Sequence, residues 1–315
     1  MKKIVKNKIS VLTLTYNHEC YIKECLDSIL NASKQCNLNV QIIVSDDASK
    51  DDTLKIIDEF SRTSDVDIKK LSRERNVGVA QNFLSAIEYC DGEYIIFLDG
   101  DDKVMKDKIT KSLRMFEMDL NTNLVHHNVN EINENSQITR EKKFKNGVSG
   151  DVNALYYNCQ ENIQSCAVMV RNREGIKWED IIDINNNLVD LPFIIAFSDV
   201  GKISYIDEVL SSYRVLSSSI MRTTNIIKHE ANTRQYLIKL SQNESKWARN
   251  TAISASFIRE ALVYKMQGKT KLFIFTLVKS ILLLPRLNNV IARYYYRVYL
   301  SLVKDVINIK KSRSK

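Results

Sequence analysis

Five short β-rich runs alternate with segments of helical spacing over residues 9–129, and this alternation limits the chain to few folds. In the first intervening segment the apolar residues Ile22, Leu26 and Ile29 recur three or four positions apart. Strands that alternate with helices of this length are joined by right-handed crossovers, which gives a mostly parallel sheet covered on both faces. The predicted strands are Ile9–Thr15, Val40–Ser45, Val66–Leu71, Tyr94–Leu98 and Leu124–Val129.

The residue pattern changes twice in the rest of the chain. Residues 130–165 are polar and turn-rich, and we expect an irregular insertion there. A helical run at Leu188–Phe197 and a further strand within GKISYIDEVLSSYRV follow it, and long helical segments begin near residue 228. We therefore predict an α/β domain over residues 1–227 and a helical extension over residues 228–315.

Polar residues follow three of the predicted strands at their carboxyl ends. Tyr16 and Asn17 follow the first strand, Asp46 to Ser49 the second, and Asp99 to Asp102 the fourth. In open parallel sheets the ligand crevice lies beyond these strand ends. We therefore expect the three segments to share one binding edge.

The segment DGDD, Asp99 to Asp102, places three carboxylates in four positions directly after an apolar strand. Carboxylates are costly to desolvate and repel one another, so a positive partner is expected there. A hard divalent cation such as Mg²⁺ or Mn²⁺ takes oxygen ligands and keeps waters that a phosphate can replace. The alternative, which the acids alone leave open, is a solvated acidic turn that caps the next helix.

Five ordered blocks resemble the inverting nucleotide-sugar glycosyltransferases of family two, which have the GT-A fold. The blocks are SVLTLTYNHECYIKECLDSIL (10–30), IIVSDDASKDDT (42–53), RNVGVAQN (75–82), GEYIIFLDGDD (92–102) and VDLPFIIAFSDVGKISYIDEVLSSYR (189–214). Their order and spacing are similar to the family's over residues 8–220, which is far more specific than any single block. The resemblance does not extend to the C-terminal residues.

The resemblance implies a set of donor-binding residues along the sheet edge. Tyr16 would stack on the nucleotide base, unless it is an ordinary turn tyrosine. Asp46 would accept a hydrogen bond from a uracil-type imide, and we assign the capping of the following helix to Asp47 or Ser49 instead. Arg75 would meet a phosphate or remain a surface charge. The implied donor-binding set is Tyr16, Asn17, Asp46, Arg75, Asn76, Gly78, Asp99, Asp101, Asp102 and Arg214.

Within this set, the resemblance gives the acids different roles. Asp99 would contact the ribose or the cation, and Asp101 would be the main metal ligand. Asp102 would orient the loop. Gly78, in the N-x-G segment, would supply a positive φ or a close backbone approach.

Asp190 falls at the family's general-base position, ahead of the apolar run LPFIIAF. That setting would partly bury the carboxylate and raise its pKa, as a base requires. Glu179 and Asp180 form a rival acidic pair, but they lie too far upstream of GKISYIDE to match the family. Alternatively, Asp190 caps the helix that Pro192 opens.

The chain departs from the family after its Tyr-Arg pair. Many relatives carry a histidine two residues beyond the arginine, whereas here Tyr213 and Arg214 are followed by Val215 and Leu216. The metal or diphosphate would then depend on Arg214, on residues 217–219, or on the two aspartates with water. His126 and His127 lie elsewhere, and we interpret them as core or sheet-edge histidines because no second ligand lies at metal-site spacing.

The net charge of +8 conceals an acidic body and a basic tail. Residues 228–315 hold 18 Lys and Arg against 4 Asp and Glu, which leaves a net charge of −6 for residues 1–227. The six cysteines form no Cys-x-x-Cys pair, so we expect reduced thiols in a cytoplasmic protein. The apolar run after the basic N-terminus is too short for a secretion signal, and we interpret it as the first buried strand.

The tail contains the apolar run Leu272–Leu284, which is too short to cross a bilayer. On the helix predicted beyond Pro285, basic residues form a stripe on one side and apolar residues lie on the opposite side. This pattern suits an anionic membrane surface. A helix docked on the catalytic domain, or a homodimer contact, explains the pattern equally well. Nucleic-acid binding is disfavoured because the body is acidic and no reader motif is present. The stripe consists of Arg286, Arg293, Arg297 and Lys304.

Together these features predict a metal-dependent inverting glycosyltransferase of bacterial surface polysaccharide synthesis, peripheral on the inner face of the plasma membrane. Its donor would be a nucleotide-diphosphate sugar, with uridine favoured, and its acceptor a glycan or polyprenyl-linked glycan. The alternatives are a nucleotidyltransferase, which usually has a Gly-rich phosphate loop that is not found here, and a degenerate nucleotide-sugar-binding protein.

Overall fold

The computed structural model describes residues 3–157, 163–186, 188–216, 226–239 and 246–283. Strands and helices alternate through the first half of the chain, as the sequence predicts. The strands are β1 Val5–Thr15, β2 Asn39–Asp46, β3 Asp67–Ser72, β4 Gly92–Asp99, β5 Lys103–Val104, β6 Thr122–Ile132, β7 Ile138–Arg140, β8 Met169–Arg171 and β9 Lys202–Arg214. The helices are α1 Ile22–Ser33, α2 Thr53–Thr63, α3 Val79–Ile87, α4 Lys108–Met118, α5 Val152–Tyr157, α6 Trp178–Ile181, α7 Asp190–Ser198, α8 Ile226–Lys239, α9 Lys246–Met266 and α10 Thr270–Leu283.

Within the described residues, nine strands form one sheet. Eight of them follow the order β3-β2-β1-β4-β8-β6-β9-β5, and β7 pairs with β6. The pairs β1–β2, β2–β3, β1–β4 and β6–β9 are parallel. Because β8 is antiparallel to both β4 and β6, these two strands also run in the same direction. The predicted mostly parallel α/β sheet is therefore confirmed.

The apolar periodicity determines which helix faces meet the sheet. On α1 the buried residues Ile22, Cys25, Leu26 and Ile29 form one stripe, which packs in the core beside apolar residues of β1 and β4. α7 differs, because nearly all of its residues are buried and it has no polar face. It is thus a buried helix apart from its first residue, Asp190, which is exposed.

The insertion predicted for residues 130–165 is more ordered than expected. β6 extends to Ile132 and forms a hairpin with β7, and a short 3₁₀ turn, Ser165–Ala167, leads into β8. The three-residue strand β8 was not predicted, because so short a segment has no detectable alternation. It lies between β4 and β6 and joins the two halves of the sheet.

His126 and His127 lie on β6 and are completely buried, which confirms their interpretation as core histidines. The Nε2 atom of His126 donates to the carbonyl oxygen of Val148 at 2.8 Å. Burial lowers the pKa of His126 to about 4 and that of His127 well below its ordinary value. Both rings are neutral at pH 7.

The chain divides into two compact units, Met1–Val152 with Glu161–Ser219, and Asn153–Gln160 with Ile220–Lys315. In the second unit α9 packs on α10, and Ser254 Oγ donates to the carbonyl oxygen of Ser280 at 2.9 Å. The helices of the described residues are all too short or too polar to cross a bilayer. The predicted basic stripe beyond Pro285 lies outside the described residues, and the division at 227/228 stays a prediction.

Candidate active site

The carboxyl ends of three neighbouring strands place the predicted site residues at one edge of the sheet. β1 lies between β2 and β4, with Thr15 paired to Asp46 and Leu14 paired to Asp99. Tyr16 follows Thr15 directly, and 40% of its surface is exposed. Tyr16, Asp46 and Asp99 are therefore within a few residues of one another along the same edge.

The loops after β1 and β2 are joined by hydrogen bonds. The backbone N–H of Asn17 donates to Ser49 Oγ at 2.8 Å, and the N–H of Lys50 donates to Asn17 Oδ1 at 2.8 Å. Asp46 is fully buried, and its carboxylate accepts hydrogen bonds from the backbone N–H and the hydroxyl of Ser49. Asn17 and Asp46 therefore shape the surface beside Tyr16. Their contact with a nucleotide stays a prediction.

The capping role predicted for Asp47 or Ser49 at α2 is wrong. Asp52 is the N-cap of α2 and makes no side-chain capping bond there. Asp47 instead accepts hydrogen bonds from the N–H groups of Val77, at 2.7 Å, and Gly78, at 2.9 Å. Local sequence favoured the nearby helix, but the parallel pairing of β2 with β3 brings the loop before α3 within reach of this carboxylate.

The loop before α3 contains three of the predicted donor-binding residues. Gly78 has a φ of 85°, a positive value that glycine adopts without strain and that agrees with the expectation for this position. Asn76 Oδ1 accepts a hydrogen bond from the Gly78 N–H at 3.2 Å. Arg75 is exposed. Asn76 thus holds the loop, and the guanidinium of Arg75 extends from its surface.

The acid loop, Asp99 to Asp102, is a tight turn held by backbone bonds. The N–H of Gly100 donates to Leu14 O at 2.8 Å, and the N–H of Asp102 donates to Asp99 O at 3.0 Å. A Cβ atom on Gly100 would lie 2.9 Å from His18 Nδ1 and 3.0 Å from Thr15, so any other residue would displace the loop. Asp102 is buried, and its Oδ1 accepts a hydrogen bond from the N–H of Arg214 at 2.7 Å, an arrangement that suits the orienting role predicted for it.

Arg214 lies behind this loop. Its side chain has no exposed surface, and its guanidinium donates to protein oxygens, including Asp101 O at 2.7 Å. This geometry lends no support to the prediction that Arg214 contacts the donor. It supports the acid loop from the protein side.

Asp190 is the first residue of α7, and its side chain reaches solvent. Val189 is the N-cap, and no side chain caps the helix, so the alternative of Asp190 as a simple N-cap is wrong. The surrounding protein disfavours charge and raises the pKa of Asp190 to about 6, although a hydrogen bond from Ser165 opposes this. A carboxylate with this pKa suits proton abstraction near neutral pH.

Ser165 links Asp190 to the acid loop. A hydrogen bond from its side chain opposes the rise in the pKa of both Asp190 and Asp99. Burial raises the pKa of Asp99 well above its ordinary value, and the charges of Asp190 and Asp101 raise it further. Asp190 and the acid loop are therefore close enough for their charges to interact. Sequence reasoning missed Ser165, because QSCAV carries no motif.

Aromatic residues surround α7 and fix its position. Phe193 contacts Phe83, Phe97, Trp178 and Phe197, with ring centroids 5.0–6.0 Å apart. Trp178 belongs to α6, whose acids Glu179 and Asp180 are exposed. No local pattern in the sequence predicts this cluster, because its members come from three helices and a strand.

The acid loop offers oxygen ligands of the kind that a hard cation prefers. Among the described residues, no group of three or more His, Cys, Asp or Glu side chains could hold a metal ion. Leu216, at the position where many relatives have histidine, provides no ligand. Asp99 and Asp101 nevertheless fit Mg²⁺ or Mn²⁺, because such cations often take one or two carboxylates and fill their remaining positions with water and phosphate oxygens.

Two solved structures share this fold. Staphylococcus aureus TarS 1–349 in complex with UDP-GlcNAc aligns with a TM-score of 0.65 and 18% identity, over 88% of this chain and 82% of that chain. The mannosyltransferase PcManGT from Pyrobaculum calidifontis, in complex with GDP-Man and Mn²⁺, aligns with a TM-score of 0.53 and 14% identity, over 87% and 86% of the chains. These similarities confirm the predicted GT-A fold.

Sequence comparisons point the same way. The chain is 28% identical over 281 residues to the teichoic acid poly(glycerol phosphate) polymerase of Staphylococcus epidermidis, which is 84% of this chain and 35% of that protein. It spans less than two thirds of the length of the curated relatives it matches. The sequence model described as glycosyl transferase family 2 matches residues 10–175, more than half of the chain. The chain therefore belongs to glycosyl transferase family 2.

Proposed function

We propose that this protein is an inverting, metal-dependent glycosyltransferase that moves a sugar from a nucleotide-diphosphate sugar to a glycan or lipid-linked glycan. The observation that carries the proposal is the edge of the sheet where β2, β1 and β4 bring Asp46, the exposed Tyr16 and Asp99 together, with Asp190 close enough for its charge to raise the pKa of Asp99. It places a carboxylate of raised pKa beside the carboxylates suited to a diphosphate-bound cation.

The donor would lie along the carboxyl ends of β2, β1 and β4. Tyr16 offers an exposed ring for base stacking, and the loops that carry Asn17, Asp46, Asn76 and Gly78 are held rigidly by hydrogen bonds. A uridine donor is favoured by the similarity to TarS, which was solved with UDP-GlcNAc. Arg75, which is exposed, would meet a phosphate.

Asp101 and Asp99 would hold the cation, with Asp101 as the main ligand. When bound, Mg²⁺ or Mn²⁺ supplies positive charge to the departing diphosphate. PcManGT, solved with Mn²⁺, supports this assignment by its similar fold. Asp102 accepts the Arg214 N–H and so stays on the protein side of the loop.

Asp190 would act as the general base. In an inverting transfer the acceptor oxygen attacks the anomeric carbon from the face opposite the diphosphate, and the bond from that carbon to the phosphate oxygen breaks. Asp190 accepts the proton that the acceptor hydroxyl loses. A hydrogen bond from Ser165 lowers the pKa of Asp190 and so favours its deprotonated, base form before this step.

The acceptor would belong to bacterial surface polysaccharide synthesis, as the similarity to a teichoic acid polymerase suggests. A lipid-linked acceptor would bring the enzyme to the inner face of the plasma membrane. The described part of the helical unit supports such attachment, because residues 226–239 and 246–283 hold ten Lys and Arg against two acids, Glu230 and Glu260. Both of these acids pair with arginines, so the described residues of this unit carry an excess of positive charge.

Hydrolysis of UDP-sugars with and without Mn²⁺ tests the proposal, with Asp101→Ala and Asp190→Ala as variants. Both variants should lose activity by at least about a hundredfold, because each removes a group that acts on the transition state. Only Asp101→Ala should lose Mn²⁺-dependent binding of UDP. The proposal fails if Asp190→Ala retains wild-type turnover, or if Asp101→Ala still binds UDP in a Mn²⁺-dependent way.

A further inference from the structure

Arg214 connects the end of β9 to three other parts of the α/β unit. Its Nε donates to Asp101 O at 2.7 Å, and its Nη1 donates to Asn133 O at 2.7 Å and to Ser136 Oγ at 3.0 Å. Its Nη2 donates to Glu24 Oε2 at 2.7 Å. One buried side chain therefore holds the acid loop, the turn after β6 and helix α1 together.

The guanidinium is further fixed by an aromatic ring and by the shape of its fork. It lies over the ring of Tyr21, 4.5 Å from the ring centroid. Tyr21 precedes Glu24 by three residues. A planar guanidinium donates in fixed directions, which a flexible ammonium group does not. The position of Asp101 O is thus determined by groups on α1 and on the turn after β6.

Glu24 restrains the acid loop from both sides. Besides Arg214, it pairs with the ammonium group of Lys103, the residue that follows Asp102, and it accepts a hydrogen bond from Ser136 Oγ at 2.6 Å. Glu24 therefore holds Asp101 indirectly, through Arg214, and holds Lys103 by a direct ion pair. These two residues lie on either side of Asp102 in the sequence. The backbone N–H of Arg214 holds the Asp102 carboxylate in between.

We propose that Arg214 and Glu24 are positioning residues that set the separation of the Asp99 and Asp101 carboxylates for the cation. This inference rests on the proposed function, because it takes those two carboxylates as the metal ligands. Neither positioning residue touches the substrate. Groups that orient metal ligands from behind typically change metal affinity by about 10- to 100-fold when removed.

The test is the binding of Mn²⁺ in the presence of saturating UDP, measured by electron paramagnetic resonance of the free ion. Glu24→Gln keeps the shape of the side chain but removes its charge, and it should weaken Mn²⁺ binding about tenfold. Its side chain is 37% exposed, so the variant should fold. Arg214→Lys keeps the charge but cannot reach Asp101, Asn133 and Glu24 together, and it should weaken binding at least as much.

Glu93→Gln is the matched control. Glu93 lies at the opposite end of β4, where it accepts hydrogen bonds from the Asn7 N–H and from Lys6 Nζ, both at 3.1 Å. This variant should lower the thermal stability without changing Mn²⁺ binding. A loss in Glu24→Gln that exceeds the loss in Glu93→Gln supports the proposal.

Two groups of results overturn it. If Glu24→Gln binds Mn²⁺ as the wild type does, or if both glutamine variants lose affinity equally, the network contributes only to general stability. If the wild type binds no Mn²⁺ with UDP, or if Asp101→Ala binds it equally well, the proposed metal site itself is wrong and the inference falls with it. Measuring Asp101→Ala beside the glutamine variants separates the two failures.

Discussion

Asp190 and Asp99 lie on different elements, yet the charge of Asp190 raises the pKa of Asp99. Burial and the charge of Asp190 both raise the pKa of Asp99, while Ser165 offers one hydroxyl proton to two carboxylates. A like-charged pair of this kind favours the binding of a proton or a cation, because either relieves the repulsion. In the proposed function, this repulsion would favour both the cation at Asp99 and proton uptake by Asp190.

The pH dependence of turnover should report the ionisation of Asp190. A base must be deprotonated to act, so kcat/KM should fall as the pH decreases through about 6. Because the Ser165 hydrogen bond lowers the pKa of Asp190, Ser165→Ala should raise that pKa. The acid limb of the profile, where kcat/KM falls with decreasing pH, should then move to higher pH. The measurement is kcat/KM against pH at saturating Mn²⁺.

Ser112→Ala is the control for this experiment. Ser112 is also buried, and its hydroxyl has no hydrogen-bond partner within the described part of the chain. Its removal should leave the acid limb in place. An unchanged limb in Ser165→Ala would contradict the assignment of Asp190 as the base that Ser165 orients.

At the scale of elements, the predictable features are those with a local pattern. β1, β2, β4 and α7 follow from apolar runs with the correct period, and the register of β1 with its neighbours then brings Tyr16, Asp46 and Asp99 to one edge. β8 and α6 have only three and four residues, too few for a period to show.

The unpredicted parts of the site depend on contacts between distant segments. Ser165 reaches Asp99 and Asp190 only because β8 inserts between β4 and β6. Asp47 was misassigned for the same reason, since its partners lie thirty residues further along the chain. Arg214 could be located from its motif, but its burial behind the acid loop follows from the pairing of β9 with β5 and β6.

Strand β6 makes the fold sensitive to acid. Burial holds the pKa of His126 at about 4, below its ordinary value of 6.5, so the unfolded chain binds a proton that the native protein does not. The stabilising contribution is complete above pH 6.5 and is lost as the pH falls towards 4. This one histidine should cost about 3 kcal/mol over that interval.

Urea unfolding at pH values from 4 to 7 measures this effect. In the wild type the free energy of unfolding should decrease steadily below pH 6.5, and His127 should add to the decrease because burial also lowers its pKa. His126→Gln should flatten the curve even if it lowers the stability at pH 7. An identical slope in the variant would show that His126 is protonated in the native protein.

At the scale of the whole molecule, the two units differ in charge and in surface. The predicted domain up to residue 227 carries a net charge of −6, whereas the described residues 226–239 and 246–283 of the second unit hold ten Lys and Arg against two acids, both of which form ion pairs with arginines. α10 buries Phe273 and Leu277 but exposes Leu272, Phe275, Val278 and Leu282. Lys279 lies beside this face, 4.3 Å from the centroid of the Phe275 ring.

An apolar helix face bordered by lysines suits the headgroup region of an anionic bilayer, because the side chains enter the apolar boundary while the ammonium groups meet phosphates. The full chain should therefore sediment with phosphatidylglycerol vesicles, and less with phosphatidylcholine vesicles or at high salt. Replacing both Phe275 and Leu282 with serine should weaken this binding severalfold. A matched pair, Met118→Ser with Leu120→Ser, removes two exposed apolar residues of the α/β unit and should bind as the wild type does. If the α10 variant instead binds vesicles normally but changes its mass in light scattering, the face is a dimer contact and the membrane prediction is wrong.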